Sequence, residues 1–145
     1  MNDKVFIDTN IFVYMQSSKD KEKKELSGLV IDKFDCVTST QVLCELSNVF
    51  TKKFKIPNEY IKQFIDAVLL TCEIAVIQSD LVKKTLDLKE LYYYSYYDSL
   101  IIAAALENNC KYILSEDLND SQIIENQARI VNIYKHPEFV FLAPL

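Results

Sequence analysis

The sequence contains very little glycine and histidine, the residues on which several common kinds of active site depend. Its 145 residues include one glycine, one histidine and no tryptophan. Glycine-rich phosphate loops need several glycines, because the backbone must approach the phosphate closely, so a P-loop and a Rossmann-type nucleotide site are both excluded. The single histidine, His136, excludes a histidine-rich zinc site. Carboxylates must therefore carry any metal or acid–base chemistry.

The four cysteines are far apart in the sequence and form no CxxC pair; they are Cys36, Cys44, Cys72 and Cys110. This spacing argues against a zinc ribbon or a redox dithiol and favours small buried side chains in a reducing compartment. The N-terminal residues lack the pattern of a signal peptide, and the longest apolar run, residues 100–106, is too short to cross a bilayer. We therefore expect a cytoplasmic protein without a membrane segment.

The overall charge of the chain is negative. The formal net charge is -5, and 50% of the residues are hydrophobic. This length and hydrophobic fraction predict one compact domain over residues 1–145. The negative charge argues against a large basic surface for nucleic acid. It does not exclude a nuclease, because an enzyme that holds divalent cations over a phosphodiester has acids at its centre.

Short β-branched or aromatic runs alternate with longer segments of helical period. The predicted strands are residues 4–7, 36–38, 73–77, 112–114 and 130–133. The predicted helices are residues 11–16, 21–33, 41–54, 58–71, 80–91 and 97–108. This alternation is typical of an α/β protein whose parallel sheet is covered by helices on both faces.

Acidic residues lie at or near the ends of the predicted strands. Asp8 directly follows the first strand, and Asp117 lies shortly after the fourth. Glu45 is about one turn into the helix after the second strand, and Asp98 begins the helix before the fourth. Ligands of open α/β sheets bind outside the carboxyl ends of the strands, so we expect these acids to meet there. An all-oxygen site of this kind suits a hard divalent cation such as Mg²⁺.

Each acid also has a purely structural interpretation. Taken alone, Asp8 is slightly better explained as a helix cap, and Asp98 could be a first-turn acid favoured by the helix dipole. Glu45 could be a solvated position, and Asp117 lies in a polar segment typical of an ordinary loop. It is the combination of the four acids that indicates a metal site.

Four segments of the sequence carry a characteristic combination of motifs. They are Val5-Phe6-Ile7-Asp8-Thr9-Asn10-Ile11, Gln41-Val42-Leu43-Cys44-Glu45, Tyr96-Tyr97-Asp98-Ser99-Leu100-Ile101-Ile102-Ala103-Ala104-Ala105 and Ile113-Leu114-Ser115-Glu116-Asp117-Leu118-Asn119-Asp120. In order and spacing they resemble the PIN domain family, and within it the VapC-type toxins of bacterial toxin–antitoxin pairs. The resemblance covers nearly the whole chain and implies a three-layer α/β/α PIN-like fold with a five-stranded parallel sheet.

The resemblance also implies an activity, a metal and partners. The activity is that of a Mg²⁺- or Mn²⁺-dependent endoribonuclease. Its catalytic, metal-binding acids correspond to Asp8, Glu45, Asp98 and Asp117. The supporting polar groups correspond to Thr9, Asn10, Ser99 and Ser115. The implied partners are an RNA substrate, a cognate antitoxin protein that inserts a segment into the active-site groove, and a second copy of the chain in a homodimer.

The sequence departs from the family pattern after the fourth acid. The family often has a glycine beyond a second acid, whereas Ser121 and Asn126 occupy the comparable stretch here. The fourth acid is therefore open between Asp117 and Asp120.

Two other functions are compatible with this sequence. A PIN-like fold without activity would be a binding module, and a related nuclease could act on DNA. The presence of all four family acids weighs against the first alternative. The length of 145 residues weighs against the second, because it leaves little room for the extra helices that clamp a duplex.

Lysines and tyrosines are candidates for contacts with RNA. Two lysine clusters could contact the phosphate backbone, although solvated helix surfaces are the commoner reason for such clusters; they are Lys19, Lys21, Lys23 and Lys24, and Lys52, Lys53 and Lys55. A tyrosine run could stack on unpaired bases or form a protein contact; it comprises Tyr92, Tyr93, Tyr94, Tyr96 and Tyr97.

Overall fold

The computed structural model describes residues 2–144, so Met1 and Leu145, the ends of the expected domain, lie outside the described residues. The strands are β1 (Lys4–Ile7), β2 (Asp35–Ser39), β3 (Glu73–Ala75), β4 (Tyr112–Leu114), β5 (Ile123–Ile124) and β6 (Ala128–Val131). The helices are α1 (Thr9–Gln16), α2 (Lys21–Lys33), α3 (Thr40–Lys52), α4 (Asn58–Thr71), α5 (Ser79–Tyr92), α6 (Tyr96–Glu107) and α7 (Glu138–Phe141).

The strands form one sheet in the order β3-β2-β1-β4-β6-β5. The pairs β3–β2, β2–β1, β1–β4 and β4–β6 are parallel, and β5 pairs antiparallel with β6. Helices flank this sheet, which confirms the predicted three-layer α/β/α class. The prediction of five strands was wrong in one respect, because the sheet has a sixth strand at its edge that is not parallel.

The missed strand belongs to a tight hairpin. Glu125 and Asn126 both have positive φ angles, of 52° and 53°, and the backbone N–H of Gln127 donates to the carbonyl of Ile124 at 2.9 Å. Two central residues with positive φ are typical of a type I′ turn, which is usually marked in sequences by Asn-Gly or Asp-Gly. The chain has Glu-Asn at this turn, and the strand before it is only two residues long. Neither feature gives a sequence signal for a hairpin.

The centre of the sheet is apolar on both faces. Val5, Phe6 and Ile7 of β1, and Ile113 and Leu114 of β4, have no exposed surface. A parallel strand covered by helices on both faces needs a continuous apolar run rather than an alternating one. This requirement made the central strands recognisable in the sequence although they are short.

The helices bury different fractions of their surfaces. Residues 99–106 of α6 are all buried, and this helix contacts α5 and β2. In contrast, α3 buries a single stripe formed by Val42, Leu46 and Phe50, which recur every four residues. The opposite face of α3 remains available for polar side chains. No helix within residues 2–144 has both the length and the apolar character needed to cross a membrane.

The register of the two central strands brings their carboxyl ends together. Ile7 of β1 is paired with Leu114 of β4, and the backbone N–H of Asp8 donates to the carbonyl of Leu114 at 3.1 Å. The next residues, Asp8 and Ser115, therefore leave the sheet side by side. β2 ends at Ser39 on the other side of β1, and α3 begins directly after it.

Replacing Ile113 in the central strand tests how far the fold depends on this apolar layer. We expect Ile113→Ala to lower the free energy of unfolding by about 2–5 kcal/mol, because the residue is fully buried and its removal leaves a cavity. Ile123→Ala in the edge strand is the matched control; its side chain is 52% exposed, and its cost should stay below about 1 kcal/mol. Equal losses in urea unfolding would contradict this description of the core.

Candidate metal centre

Asp8 is a buried carboxylate at the end of β1, and it also caps α1. Its Oδ1 accepts from the backbone N–H of Thr9 at 2.7 Å, and its Oδ2 accepts from the Ser115 hydroxyl at 2.7 Å. Burial raises the pKa of Asp8 from 3.8 to about 6, although both hydrogen bonds act in the opposite direction. The negative charges of Glu45 and Asp117 raise this pKa further. Asp8 therefore faces two other acids of the predicted set.

Glu45 lies on α3 and is held at both carboxylate oxygens. Its Oε2 accepts from the Thr9 hydroxyl at 2.8 Å, and its Oε1 accepts from the side-chain amide of Gln41 at 2.8 Å. The same amide donates to the backbone carbonyl of Tyr97 at 3.1 Å. Gln41 thus connects Glu45 with the first turn of α6, where Asp98 lies.

Asp98 is half-buried in the first turn of α6. Its backbone N–H donates to the Ser95 hydroxyl at 3.2 Å, which caps the helix. Burial raises the pKa of Asp98, and the charges of Asp117 and Glu45 add to this effect. The next side chain, Ser99, is buried, and its hydroxyl has no hydrogen-bond partner among the described residues. Asp98 thus lies in the first turn of a helix, as its structural interpretation required, and it is also close enough to Asp117 and Glu45 for their charges to act on it.

Asp117 is exposed in the loop after β4. Its Oδ2 accepts from the side-chain amide of Asn10 at 3.0 Å. Its backbone N–H, like that of Leu118, donates to the Ser115 hydroxyl, at 3.2 and 3.4 Å. Because this hydroxyl also donates to Asp8, a single serine fixes the loop of Asp117 against the end of β1.

Asp120, the alternative fourth acid, has other partners. Its Oδ1 accepts from the backbone N–H of Asn132 at 2.8 Å, and its Oδ2 lies 2.6 Å from Nε2 of His136. Burial opposes ionisation here, but the Asn132 and His136 contacts prevail and lower the pKa of Asp120. The charges that raise the pKa values of Asp8 and Asp98 include Asp117 and do not include Asp120. This difference supports Asp117 as the fourth acid.

The four acids fit a hard divalent cation in chemistry and charge. Within residues 2–144, no three His, Cys, Asp or Glu side chains are arranged closely enough to hold a metal ion together. Mg²⁺ does not require such a cage, because it keeps several waters and is usually bound by one or two carboxylates together with substrate phosphates. The unpartnered Ser99 hydroxyl is a further polar group beside Asp98. A metal held jointly by all four acids remains a prediction.

Two groups of polar residues around the site were missed by sequence reasoning. Gln41 precedes Glu45 by four residues on the same helix, so its role could have been predicted from the spacing of helical neighbours. Lys23 donates to Glu116 at 2.8 Å, and Tyr14 donates to the other oxygen of Glu116 at 2.7 Å. No sequence signal points to this second group, because its members belong to α2, α1 and the loop after β4.

A groove of about 570 Å³ lies beside the acids. Its lining includes Thr9, Asn10, Glu45, Glu116 and Asp117 from the acidic site, and Lys19, Lys53 and Phe54 from the far part of the groove. Lys19 and Lys53 belong to the two lysine clusters singled out in the sequence. Lys21, Lys24, Lys52 and Lys55 do not line this groove.

The fold and the arrangement of these acids agree with a match to a known family. The family model described as PIN domain matches residues 5–126, which is most of the chain. The chain therefore belongs to the PIN domain family. A comparison with curated protein sequences found no match.

Solved structures of VapC toxins and their complexes are similar to this chain in fold. A toxin–antitoxin complex from Klebsiella pneumoniae is 19% identical with a TM-score of 0.66, over 88% of this chain and 96% of that one. VapBC2 from Rickettsia felis, bound to a promoter DNA fragment, is 18% identical with a TM-score of 0.64. The match covers 89% of this chain and 99% of that one. VapC20 from Mycobacterium tuberculosis, described as a sarcin-ricin loop cleaving toxin, is 14% identical with a TM-score of 0.64. The match covers 78% of this chain and 91% of that one.

The buried charge of Asp8 gives the metal-free protein a distinct pH dependence. Because the folded-state pKa of about 6 exceeds the usual 3.8, the folded protein binds the proton more tightly than the unfolded chain, and stability falls as the pH rises between these values. This difference between the two pKa values corresponds to about 3 kcal/mol in the free energy of unfolding. With a chelator at about pH 8, Asp8→Asn should therefore unfold at higher urea concentration than the wild type, and the gap should close at about pH 4.

The control for this experiment is Asp66→Asn, which makes the same aspartate-to-asparagine substitution at an exposed position of α4. It should leave the pH dependence of stability as it is in the wild type. An Asp8→Asn protein that is less stable than the wild type at both pH values would contradict the description of Asp8 as a destabilising buried charge.

Proposed function

We propose that this protein is a Mg²⁺- or Mn²⁺-dependent endoribonuclease and the toxin of a type II toxin–antitoxin pair. The observation that carries the proposal is a contrast between acids. Within residues 2–144, no lysine, arginine or histidine forms an ion pair with Asp8, Glu45, Asp98 or Asp117, whereas the adjacent acids Glu116 and Asp120 are paired with Lys23 and His136. Four neighbouring carboxylates, none of them paired with a cation among the described residues, favour the binding of a metal ion.

The similar proteins support the same proposal. The Mycobacterium tuberculosis relative in fold is described as a toxin that cleaves the sarcin-ricin loop, and the Klebsiella pneumoniae structure is described as a toxin–antitoxin complex. On this basis we propose RNA as the substrate and an antitoxin protein as the regulatory partner. We extend the proposal to a homodimer in the cytoplasm, which the resemblance to VapC toxins supports.

In the proposed mechanism, Asp8, Glu45 and Asp98 would hold the metal, directly or through its waters, and Asp117 would hold a second ion or position the attacking water. The bound metal would activate water and neutralise charge on the phosphodiester. The remaining residues keep the carboxylates in place: Ser115 and Thr9 hold Asp8 and Glu45, and Asn10 holds Asp117. All these donors are neutral, so they orient the acids without replacing the cation.

Two alternatives differ from this proposal in what they predict. An inactive PIN-like binding module would have no need for unpaired acids at the strand ends. A nuclease acting on DNA would cleave a DNA strand at least as well as the RNA strand of the same sequence. Binding of Mn²⁺ tests the first alternative, and comparison of RNA with DNA cleavage tests the second.

Binding of Mn²⁺ tests the metal site without any substrate. We expect the wild type to bind Mn²⁺ in a calorimetric titration and Asp98→Asn to bind it at least about 10-fold more weakly, because a carboxylate ligand is replaced by a neutral amide. Asp66→Asn should bind like the wild type. Equal Mn²⁺ affinity in all three proteins would contradict the assignment of Asp98.

Cleavage of a mixed RNA pool tests the reaction. We expect the wild type to cut RNA in the presence of Mg²⁺ or Mn²⁺, and Asp8→Asn and Asp98→Asn to lose at least about 100-fold in rate, because the loss of a metal ligand should cost at least as much as the loss of its supporting partners. Asp66→Asn and a chelator serve as controls. RNA cleavage at the wild-type rate by Asp98→Asn would overturn the proposed function, and preferential cleavage of DNA would establish the alternative substrate.

A further inference from the structure

Two lysines lie together in the part of the groove away from the acids. Lys19 precedes α2, and Lys53 follows the last residue of α3. The ammonium of Lys19 is 5.9 Å from the centre of the Phe54 ring, and that of Lys53 is 5.6 Å from the same ring. Contact between a cation and an aromatic face stabilises the cation without neutralising its charge. The Phe54 ring thus contacts positive charges from two separate segments.

These two charges have no carboxylate partner in the described part of the chain. Within residues 2–144, neither Lys19 nor Lys53 forms an ion pair, in contrast to Lys23 in the same region, which is paired with Glu116. Asp20 also lines the groove, but its Oδ1 accepts from the backbone N–H of Lys23 and caps α2. An anion bound in this part of the groove would offset positive charge that is otherwise uncompensated.

The lysines and the acids lie on one surface. Glu45 and Val49 of α3 are followed at the same spacing of four residues by Lys53, which caps the helix with helical backbone angles. The three side chains therefore lie on one face, and all three line the groove. Eight residues of helix separate Glu45 from Lys53 by about 12 Å. Val13 and Val49 line the groove as well and provide an apolar surface. The groove therefore has an acidic part, an apolar part and a basic part.

We propose that Lys19 and Lys53 form a second phosphate site, which binds a backbone phosphate of the RNA strand other than the one that is cleaved. The site would fix the direction in which a single strand crosses the acids, since only one end of the groove is basic. It would also supply affinity where it is needed, because the acids repel the strand until a metal is present. This inference rests on the proposed function for its substrate, RNA.

The test compares two double variants with the same change of net charge. Lys19→Met with Lys53→Met removes the proposed site, and Lys24→Met with Lys52→Met removes exposed lysines that do not line the groove. Binding of a fluorescent single-stranded oligouridylate is followed by anisotropy over a range of salt concentrations, with a chelator present so that no cleavage occurs. Cleavage of a short RNA and of a dinucleotide, which has only one phosphate, is measured with Mn²⁺.

We expect the Lys19 and Lys53 double variant to bind oligouridylate at least about 10-fold more weakly, with a salt slope reduced by about 1. Its KM for the short RNA should rise while kcat stays within about 3-fold of the wild type, and its cleavage of the dinucleotide should be unchanged, because only uniform binding is lost. The Lys24 and Lys52 double variant should behave like the wild type in all these measurements.

Three results would overturn the inference. Equal losses in both double variants would mean that only the total charge matters, and unchanged binding in both would mean that the groove lysines do not contact the strand. An equal loss of affinity for polyglutamate and for oligouridylate would assign the lysines to an acidic protein segment instead. Because the binding assay needs neither metal nor catalysis, failure of the second phosphate site is distinguishable from failure of the nuclease assignment, which Asp98→Asn tests.

Discussion

The pairing of β1 with β4 is the interaction on which the rest of the site depends. It sets Ile7 beside Leu114, so that Asp8 and Ser115 leave the sheet next to each other although they are 107 residues apart in sequence. The Ser115 hydroxyl then donates to Asp8 and accepts from the backbone N–H groups of Asp117 and Leu118. A shift of β1 by one residue relative to β4 would turn its side chains to the opposite faces of the sheet and separate these groups.

The second constraint is electrostatic. Burial and neighbouring carboxylates raise the pKa values of Asp8 and Asp98, so the ionised site is unfavourable for the folded protein in the absence of a cation. The groups around the acids hold them without relieving this charge, because the Thr9 hydroxyl and the Gln41 amide are neutral donors. The two other acids of the loop after β4 are paired with protein groups, Glu116 with Lys23 and Asp120 with His136. This division between neutralised and unneutralised carboxylates is the physical distinction between a structural ion pair and a candidate metal ligand.

Much of the fold could be predicted because it depends on continuous features of the sequence. Apolar runs identified β1 and β4, since a strand covered on both faces has no polar side to interrupt the run. The edge strand β5 could not be predicted, because it has two residues and its turn uses Glu125 and Asn126 rather than a residue pair typical of such turns. The position of Asp98 at a helix start was correctly predicted, but its half-buried environment comes from contacts with distant segments.

The sequence by itself determined which residues could carry the chemistry: it contains almost no glycine or histidine, and it has acids at the ends of apolar strands. Only the tertiary structure favours Asp117 over Asp120 as the fourth acid, whose role remains a proposal. Both are acids in one polar loop, and the folded chain gives them different partners, Asn10 for the first and His136 for the second. The same holds for the lysines, because the sequence gives each of them the same charge. Only the folded chain puts Lys19 and Lys53 in the groove with no ion-pair partner among residues 2–144. Partners of this kind are set by which strands and helices pack together, and no local pattern encodes them.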